Sequence, residues 1–180
     1  EAKVVDLGTG TGAIALALAH ERSDWQVSAV DKSAPALAIA QENAHRNQVT
    51  NVTFLEGSWC EPLWASPHGT QWNMVVSNPP YIRSDDHHLQ QGDVRFEPLS
   101  ALVSGQDGLD DIRTIARQSY PLLKPGGWIA LEHGYDQGTA VQEILAKEGF
   151  QQIRTEVDLA QKDRVTLAQK SHKVPRRNPQ

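Results

Sequence analysis

Asp6-Leu7-Gly8-Thr9-Gly10-Thr11-Gly12 joins an apolar run, Lys3 to Leu7, to an alanine- and leucine-rich stretch, Ala13 to His20. That order predicts a buried strand, a tight turn and a helix. Three alternate glycines let the backbone turn sharply and let a ligand approach it closely. The helix start behind them offers unpaired N–H groups and a partial positive charge, a good seat for a carboxylate or phosphate. A second apolar run, Val27 to Val30, ends at Asp31, 23 residues after Gly8. An acid there can accept hydrogen bonds from both hydroxyls of a ribose. Gly8 to Ala13 also satisfies the looser dinucleotide pattern G-x-G-x-x-A. The loop and the acid therefore admit two cofactor classes, S-adenosyl-L-methionine (AdoMet) and NAD, beside a plain glycine-rich turn with no ligand.

The rest of the chain alternates in the same way. A helix is predicted over Pro35 to Arg46, with Pro35 in a first turn that tolerates it. Strands follow at Val52 to Leu55 and Asn73 to Ser77, then a helix over Leu109 to Leu123 and a Lys124-Pro125-Gly126-Gly127 turn. A strand over Trp128 to Glu132, a helix over Thr139 to Glu148 closed by Gly149, and a strand pair, Gln152 to Val157 and Arg164 to Ala168, complete the pattern. Such alternation gives an α/β fold, a parallel sheet with helices on both faces. Arg83 to Asp107 lacks periodicity, and a polar loop of that length inside a domain is functional or disordered. One domain is expected over residues 1–169, with a basic, disordered tail over 170–180. The chain reads straight from Glu1 into a strand, as a fragment lacking an N-terminal part would.

Charge narrows the partners. Four of the 17 basic residues (Lys170, Lys173, Arg176, Arg177) follow Gln169, and no acid does, so the body holds 13 bases against 22 acids, net −9. A nucleic-acid binder usually carries a basic face, so this body argues against DNA or RNA. Cys60 is the only cysteine, which rules out an internal disulfide and fits a reducing compartment. No apolar run approaches the roughly 18 residues of a membrane span, and no signal peptide opens the chain, so a cytoplasmic location is expected.

Asn78-Pro79-Pro80-Tyr81 follows the fourth predicted strand, at the carboxyl edge of the sheet where open α/β folds bind ligands. Two prolines fix φ and remove two donors, which leaves the Pro79 carbonyl outward in a stiff loop. Asn78 adds a side-chain carbonyl oxygen. Together they make two acceptors of fixed spacing, suited to a substrate NH2, and Tyr81 adds an aromatic face for a planar amide or base. An amide nitrogen is a weak nucleophile, because its lone pair is delocalised into the carbonyl. Holding both N–H bonds orients that lone pair toward a sulfonium methyl, and positioning supplies much of the rate. No strong base is needed beforehand, since the proton can leave after transfer. The alternative is a Pro-Pro turn capped by Asn78. An NAD site would leave this corner without a role.

DLGTGTG, Asp31, NPPY and Gly92-Asp93-Val94-Arg95-Phe96-Glu97-Pro98-Leu99 together resemble the HemK/PrmC family, glutamine methyltransferases acting on peptide-chain release factors. The resemblance spans residues 3 to 168, and Gln90 to Leu109 is its specific part. It implies a class I AdoMet-dependent methyltransferase fold, Rossmann-like. Its seven-stranded sheet would be mostly parallel, with helices on both faces and an antiparallel C-terminal strand. It implies AdoMet held by Gly8, Thr9, Gly10, Thr11, Gly12, Asp31, Trp59 and Asn78, and no metal. It further implies a release-factor glutamine, in a Gly-Gly-Gln loop, bound by Asn78, Pro79, Pro80 and Tyr81, with Arg95 and Glu97 assisting. The family carries a small N-terminal helical domain, absent from this chain. Two stretches depart from the family: Glu61 to Gln71 is long, and Ala160 to Arg164 lacks a glycine expected before Asp163.

Other residues and readings have competing explanations. The Trp59 ring suits either adenine stacking or the core. Arg95 and Glu97 suit substrate contact or a pair with each other. His87-His88 beside Asp85-Asp86 reads as a solvated loop rather than a metal site, and His133 as packed or solvated. An adenine-amine methyltransferase would share the NPPY chemistry on a flipped base. A sister branch of the family methylates a glutamine of a ribosomal protein.

Overall fold

The computed structural model describes residues 1–65, 71–85 and 101–172. Seven strands form one sheet in the order β3-β2-β1-β4-β5-β7-β6. In chain order they are β1 (Lys3–Leu7), β2 (Gln26–Asp31), β3 (Val52–Glu56), β4 (Trp72–Ser77), β5 (Leu123–Glu132), β6 (Phe150–Val157) and β7 (Asp163–Lys170). The helices are α1 (Ala13–Glu21), α2 (Ala34–Arg46), α3 (Glu61–Trp64), α4 (Asp110–Leu122) and α5 (Gly138–Lys147). Pairing is parallel from β3 through β5, and β7 lies antiparallel to both β5 and β6. This is the mostly parallel sheet with an antiparallel C-terminal strand that the family resemblance implies, and its parallel part is what the alternation predicts.

Helices cover both faces because strand side chains alternate. Val5, Leu7 and Val30 pack with Ile112 and Ile115 of α4 and Val141 and Leu145 of α5. Val27 and Ala29 pack instead with Ala15 and Ala19 of α1. Burying a side chain such as Ile112 or Leu145 contributes about 1.5–3 kcal/mol. Among the described residues no helix is long and apolar enough to cross a membrane.

Four local features differ from expectation. Lys124 to Gly127, read as a turn, lies inside β5. Trp72 pairs with Leu123 and Met74 with Trp128, so the extra residues bulge out of the ladder. Pairing on both sides of the prolyl-glycyl segment overrides its local turn preference. Glu61–Trp64 forms the short α3, which the sequence does not announce. The glycine missing before Asp163 is replaced by Gln161 at φ 60, a left-handed conformation that glycine adopts freely. Asp158 stabilises that turn by accepting from the N–H groups of Ala160 (2.8 Å) and Lys162 (3.1 Å). Lys170, assigned by composition to the tail, ends β7 and donates to the Leu123 carbonyl at 2.6 Å.

Candidate active site

The strand order reverses direction between β1 and β4, which opens a crevice at their carboxyl ends. Register makes neighbours of the predicted site residues. Leu7 pairs with Val30 and with Ser77, and Asp31 pairs with Glu56. The residues just beyond these pairs, Gly8, Gly57 and Asn78, therefore share one edge with Asp31. The buried Ser77 hydroxyl donates to the Leu7 carbonyl at 2.6 Å and fixes the glycine loop beside the Asn78 corner.

The cleft there has a volume of about 190 Å³ and is lined by Gly8, Gly10, Asp31, Trp59, Asn78 and Pro80, with Lys32, Gly57, Ser58, Ala101 and Asp111. Gly8 has φ 71, and a Cβ on it would stand 3.1 Å from Cζ3 of Trp59. The loop therefore needs glycine here both for conformation and for contact with the indole. Trp59 is half-buried, packs against the core and lines the cleft.

Asp31 organises the loop. Its Oδ2 accepts from the Gly10 N–H at 2.8 Å and its Oδ1 from the Ser33 N–H at 2.9 Å. Thr9 and Thr11 turn elsewhere. The Thr9 hydroxyl donates to Oδ2 of buried Asp6 at 2.7 Å, and Thr11 is exposed, on a groove between α1 and α2. Gly12 packs against Ala40 of α2.

Asp6, which sequence reading passed over, is the cap that α1 lacks in its own N-terminal turn. Its Oδ2 accepts from the Ala15 N–H at 3.2 Å, satisfying one of the helix's orphan donors. Among the described residues Oδ1 has no hydrogen-bond partner. Burial, with a smaller push from Asp31, raises its pKa from 3.8 to about 6 against the pull of Thr9 and Ala15. A proton held more tightly in the folded chain is taken up on folding between pH ~4 and ~6. That contribution is full below pH ~4 and is lost as pH rises through about 6, on the order of 3 kcal/mol in all. Urea unfolding of the wild type and Asp6→Asn at pH 5 and 7.5 should show the wild type gaining relative stability at pH 5. Parallel curves would mean that this carboxyl does not titrate there.

At the corner itself Asn78 is exposed, Pro79 buried and Pro80 half-buried. Among the described residues the Asn78 side chain makes no hydrogen bond, and the Pro79 carbonyl accepts none. Asn78 therefore does not cap the Pro-Pro turn. Tyr81 is half-buried, with its hydroxyl between Glu132 and Arg164; burial first and Glu132 second raise its pKa, and Arg164 opposes them. Arg164 is itself held by Asp158 (3.2 Å). After Tyr81 the chain docks on the stretch before α4: the Ile82 N–H donates to the Leu102 carbonyl at 2.9 Å and the Ser84 N–H to that of Gly105 at 3.0 Å. Arg95, Glu97, His87 and His88 lie outside the described residues.

His133 is fully buried, as the packed reading expects. Nδ1 donates to the Gly134 carbonyl (2.8 Å), and Nε2 shares a hydrogen bond with the Thr166 hydroxyl (2.7 Å). Cys60 is buried against Ser119 at 3.7 Å, and burial pushes its thiol up to about 11, which makes it inert as a nucleophile.

The sequence profile of the methyltransferase small domain matches residues 1–94, more than half of the chain. The chain belongs to the methyltransferase small domain family. A relative from Vibrio cholerae named release factor glutamine methyltransferase is 52% identical over 169 residues, 94% of this chain and 58% of that protein. One of the same name from Escherichia coli K12 is 48% identical over 165 residues, 92% of this chain and 58% of that protein. The chain thus spans less than two thirds of the length of these relatives. Among solved structures, the hMettl16 catalytic domain in complex with MAT2A 3'UTR hairpin 1 superposes with a TM-score of 0.72, covering 97% of this chain and 65% of that one at 16% identity. At that identity the likeness shows the fold, a class I methyltransferase sheet, and the fold alone does not choose a substrate.

Sequence reasoning missed Lys32, Gly57, Ser58, Ala101 and Asp111 as cleft residues. The first three follow strand ends that were located, so their position was legible. Ala101 and Asp111 reach the cleft only through the docking of 102–105 on Ile82 and Ser84, which leaves no local signature.

Proposed function

We propose that this chain is the methyl-transfer domain, over residues 1–169, of an enzyme that methylates the side-chain amide nitrogen of a protein glutamine. The substrate is the glutamine in the Gly-Gly-Gln loop of peptide-chain release factors. The observation that carries the reading is the Asn78 side chain, which lines the same cleft as Gly8, Gly10, Asp31 and Trp59 and, among the described residues, makes no hydrogen bond, with the Pro79 carbonyl next to it in the stiff corner. The names of the Vibrio and Escherichia relatives support the substrate. On this reading the protein acts where translation does, in the cytoplasm.

The residues present fit AdoMet. A Cβ on Gly10 would meet nothing within 4 Å, so that loop position borders open space. Each Asp31 oxygen keeps a lone pair beyond its backbone bond, enough for two ribose hydroxyls. The half-buried Trp59 indole offers a face to adenine. When bound, the cofactor supplies an electrophilic methyl on a sulfonium. Asn78 Oδ1 and the Pro79 carbonyl accept the two N–H bonds of the glutamine amide and turn its nitrogen toward that methyl. Tyr81 stands beside them with its ring orientation fixed by Glu132 and Arg164. The amide proton leaves after transfer, so the corner needs no strong base. Orientation of this kind is a large part of the rate in reactions of weak nucleophiles.

Transfer of labelled methyl from AdoMet to purified release factor tests the reading. Label should appear on release factor and vanish when its Gly-Gly-Gln glutamine is changed. Duplex and single-stranded DNA should be poor acceptors, because a body of net charge −9 releases few counterions on binding them. Robust adenine labelling would replace this reading with the adenine-amine one.

A further inference from the structure

Gln137 is buried, 8% exposed, and every hydrogen-bonding group of its side-chain amide is used. Its Oε1 accepts from the Gly134 N–H at 2.8 Å. Its Nε2 donates to the Tyr81 carbonyl at 3.0 Å and to the Asp107 carbonyl at 3.3 Å. One side chain thus joins three segments distant in sequence: the exit of the Asn78 corner, the stretch entering α4, and the start of α5. The last of these is itself rigid, because the Gln137 N–H donates back to the Gly134 carbonyl at 3.0 Å and its carbonyl receives the Val141 N–H at 3.0 Å.

The packing around this clamp leaves no slack. Gly108 has φ 76, and a Cβ there would fall 2.3 Å from the Tyr81 carbonyl oxygen and 2.8 Å from Gln137 Nε2. A Cβ on Gly134 would fall 3.0 Å from Gln137 Oε1. Glycines therefore stand on both sides of the amide, which lets three backbones converge on it. Tyr81 follows Pro80, so its carbonyl is the first point after the two prolines at which the corner is held by a distant side chain. The other donor bond reaches the Asp107 carbonyl, in the stretch between Ala101 and Asp111, two residues that line the cleft.

We propose that Gln137 is a positioning residue for the Asn78–Tyr81 corner, setting the place of its acceptors against the cleft. It acts through the Tyr81 and Asp107 carbonyls and touches no reacting atom. The activity arm of this inference rests on the glutamine-methylating reading given above.

Two variants separate the clamp from packing. Gln137→Leu keeps the volume and removes all three bonds. Gln137→Glu keeps the acceptor for Gly134 and removes the paired donors facing Tyr81 and Asp107. In both, kcat on release factor should fall by roughly 10–100-fold, the scale of a misplaced corner, with AdoMet Kd and release-factor KM within about twofold of the wild type. A fold defect would lower AdoMet binding as well. Amide exchange read by mass spectrometry should quicken at Ile82 and Ser84 in both variants, independently of any substrate. If the wild type labels release factor and the variants match it in kcat, the positioning role is overturned, and unchanged exchange at Ile82 and Ser84 overturns the clamp. If the wild type does not label release factor but exchange quickens, the clamp stands and the substrate reading fails.

Discussion

Asn78→Ala should lower turnover on release factor by roughly 10²–10³-fold, by analogy with deleting one preorganised transition-state hydrogen bond, while the melting temperature stays near that of the wild type. Two roles compete at this position. A capping asparagine would stabilise the turn by about 1 kcal/mol and leave turnover per folded enzyme intact when removed. The structure disfavours the cap, because among the described residues the Asn78 side chain bonds to nothing. On the proposed mechanism, what alanine removes is one of the two acceptors for the substrate amide. Asn78→Asp sharpens the comparison, since it keeps an oxygen at the same place, replaces the NH2 with a second oxygen and adds charge near the sulfonium. The expected order of turnover is Asn, then Asp, then Ala, with closely spaced melting points. If Asp is no better than Ala, the acceptor role is wrong. If Ala retains wild-type turnover, the proposed mechanism fails at its centre.

The parts of this site legible in the sequence are those whose signal is local. The glycine loop, Asp31 and NPPY each sit where an apolar run stops, and in a parallel sheet every such stop lies on the same edge. Finding strands was therefore enough to gather Gly8, Asp31 and Asn78 in one cleft. The parts that escaped are made by contacts across long stretches of chain. Gln137 lies 56 residues from the Tyr81 carbonyl it holds, and nothing in Tyr135-Asp136-Gln137-Gly138 announces that partner. Asp6 reads only as the first residue of the glycine-loop segment, yet its carboxylate caps α1 nine residues later. The reading of Lys124 to Gly127 as a turn misled for the converse reason: its local signal is strong, and ladder pairing on either side absorbs it as a bulge. Gln161 makes the same point, since a turn that would favour glycine is held instead by the Asp158 carboxylate.

Asp31→Ala should weaken AdoMet binding by about 1–3 kcal/mol, the scale of hydrogen bonds to a charged acceptor, or roughly 5–150-fold in Kd. Two effects add. The direct one, on the proposed reading, is loss of both acceptors for the ribose hydroxyls. The indirect one is release of the Gly10 and Ser33 N–H groups, which the carboxylate holds at 2.8 and 2.9 Å. Asp31→Asn distinguishes the carboxylate from any polar group of its size. One of its two termini must be an NH2, which would then face either the Gly10 or the Ser33 N–H, donor against donor. Asparagine is therefore expected to behave nearly as badly as alanine, although its volume is conserved. Calorimetry with AdoMet and S-adenosyl-L-homocysteine locates the contact. The ribose is common to both, so both should lose affinity by the same factor, and NAD should not bind before or after the change. A loss confined to AdoMet would mean that Asp31 acts on the sulfonium charge and not on the ribose. Unchanged affinity for both would remove Asp31 from the site and leave it only the task of closing the glycine loop.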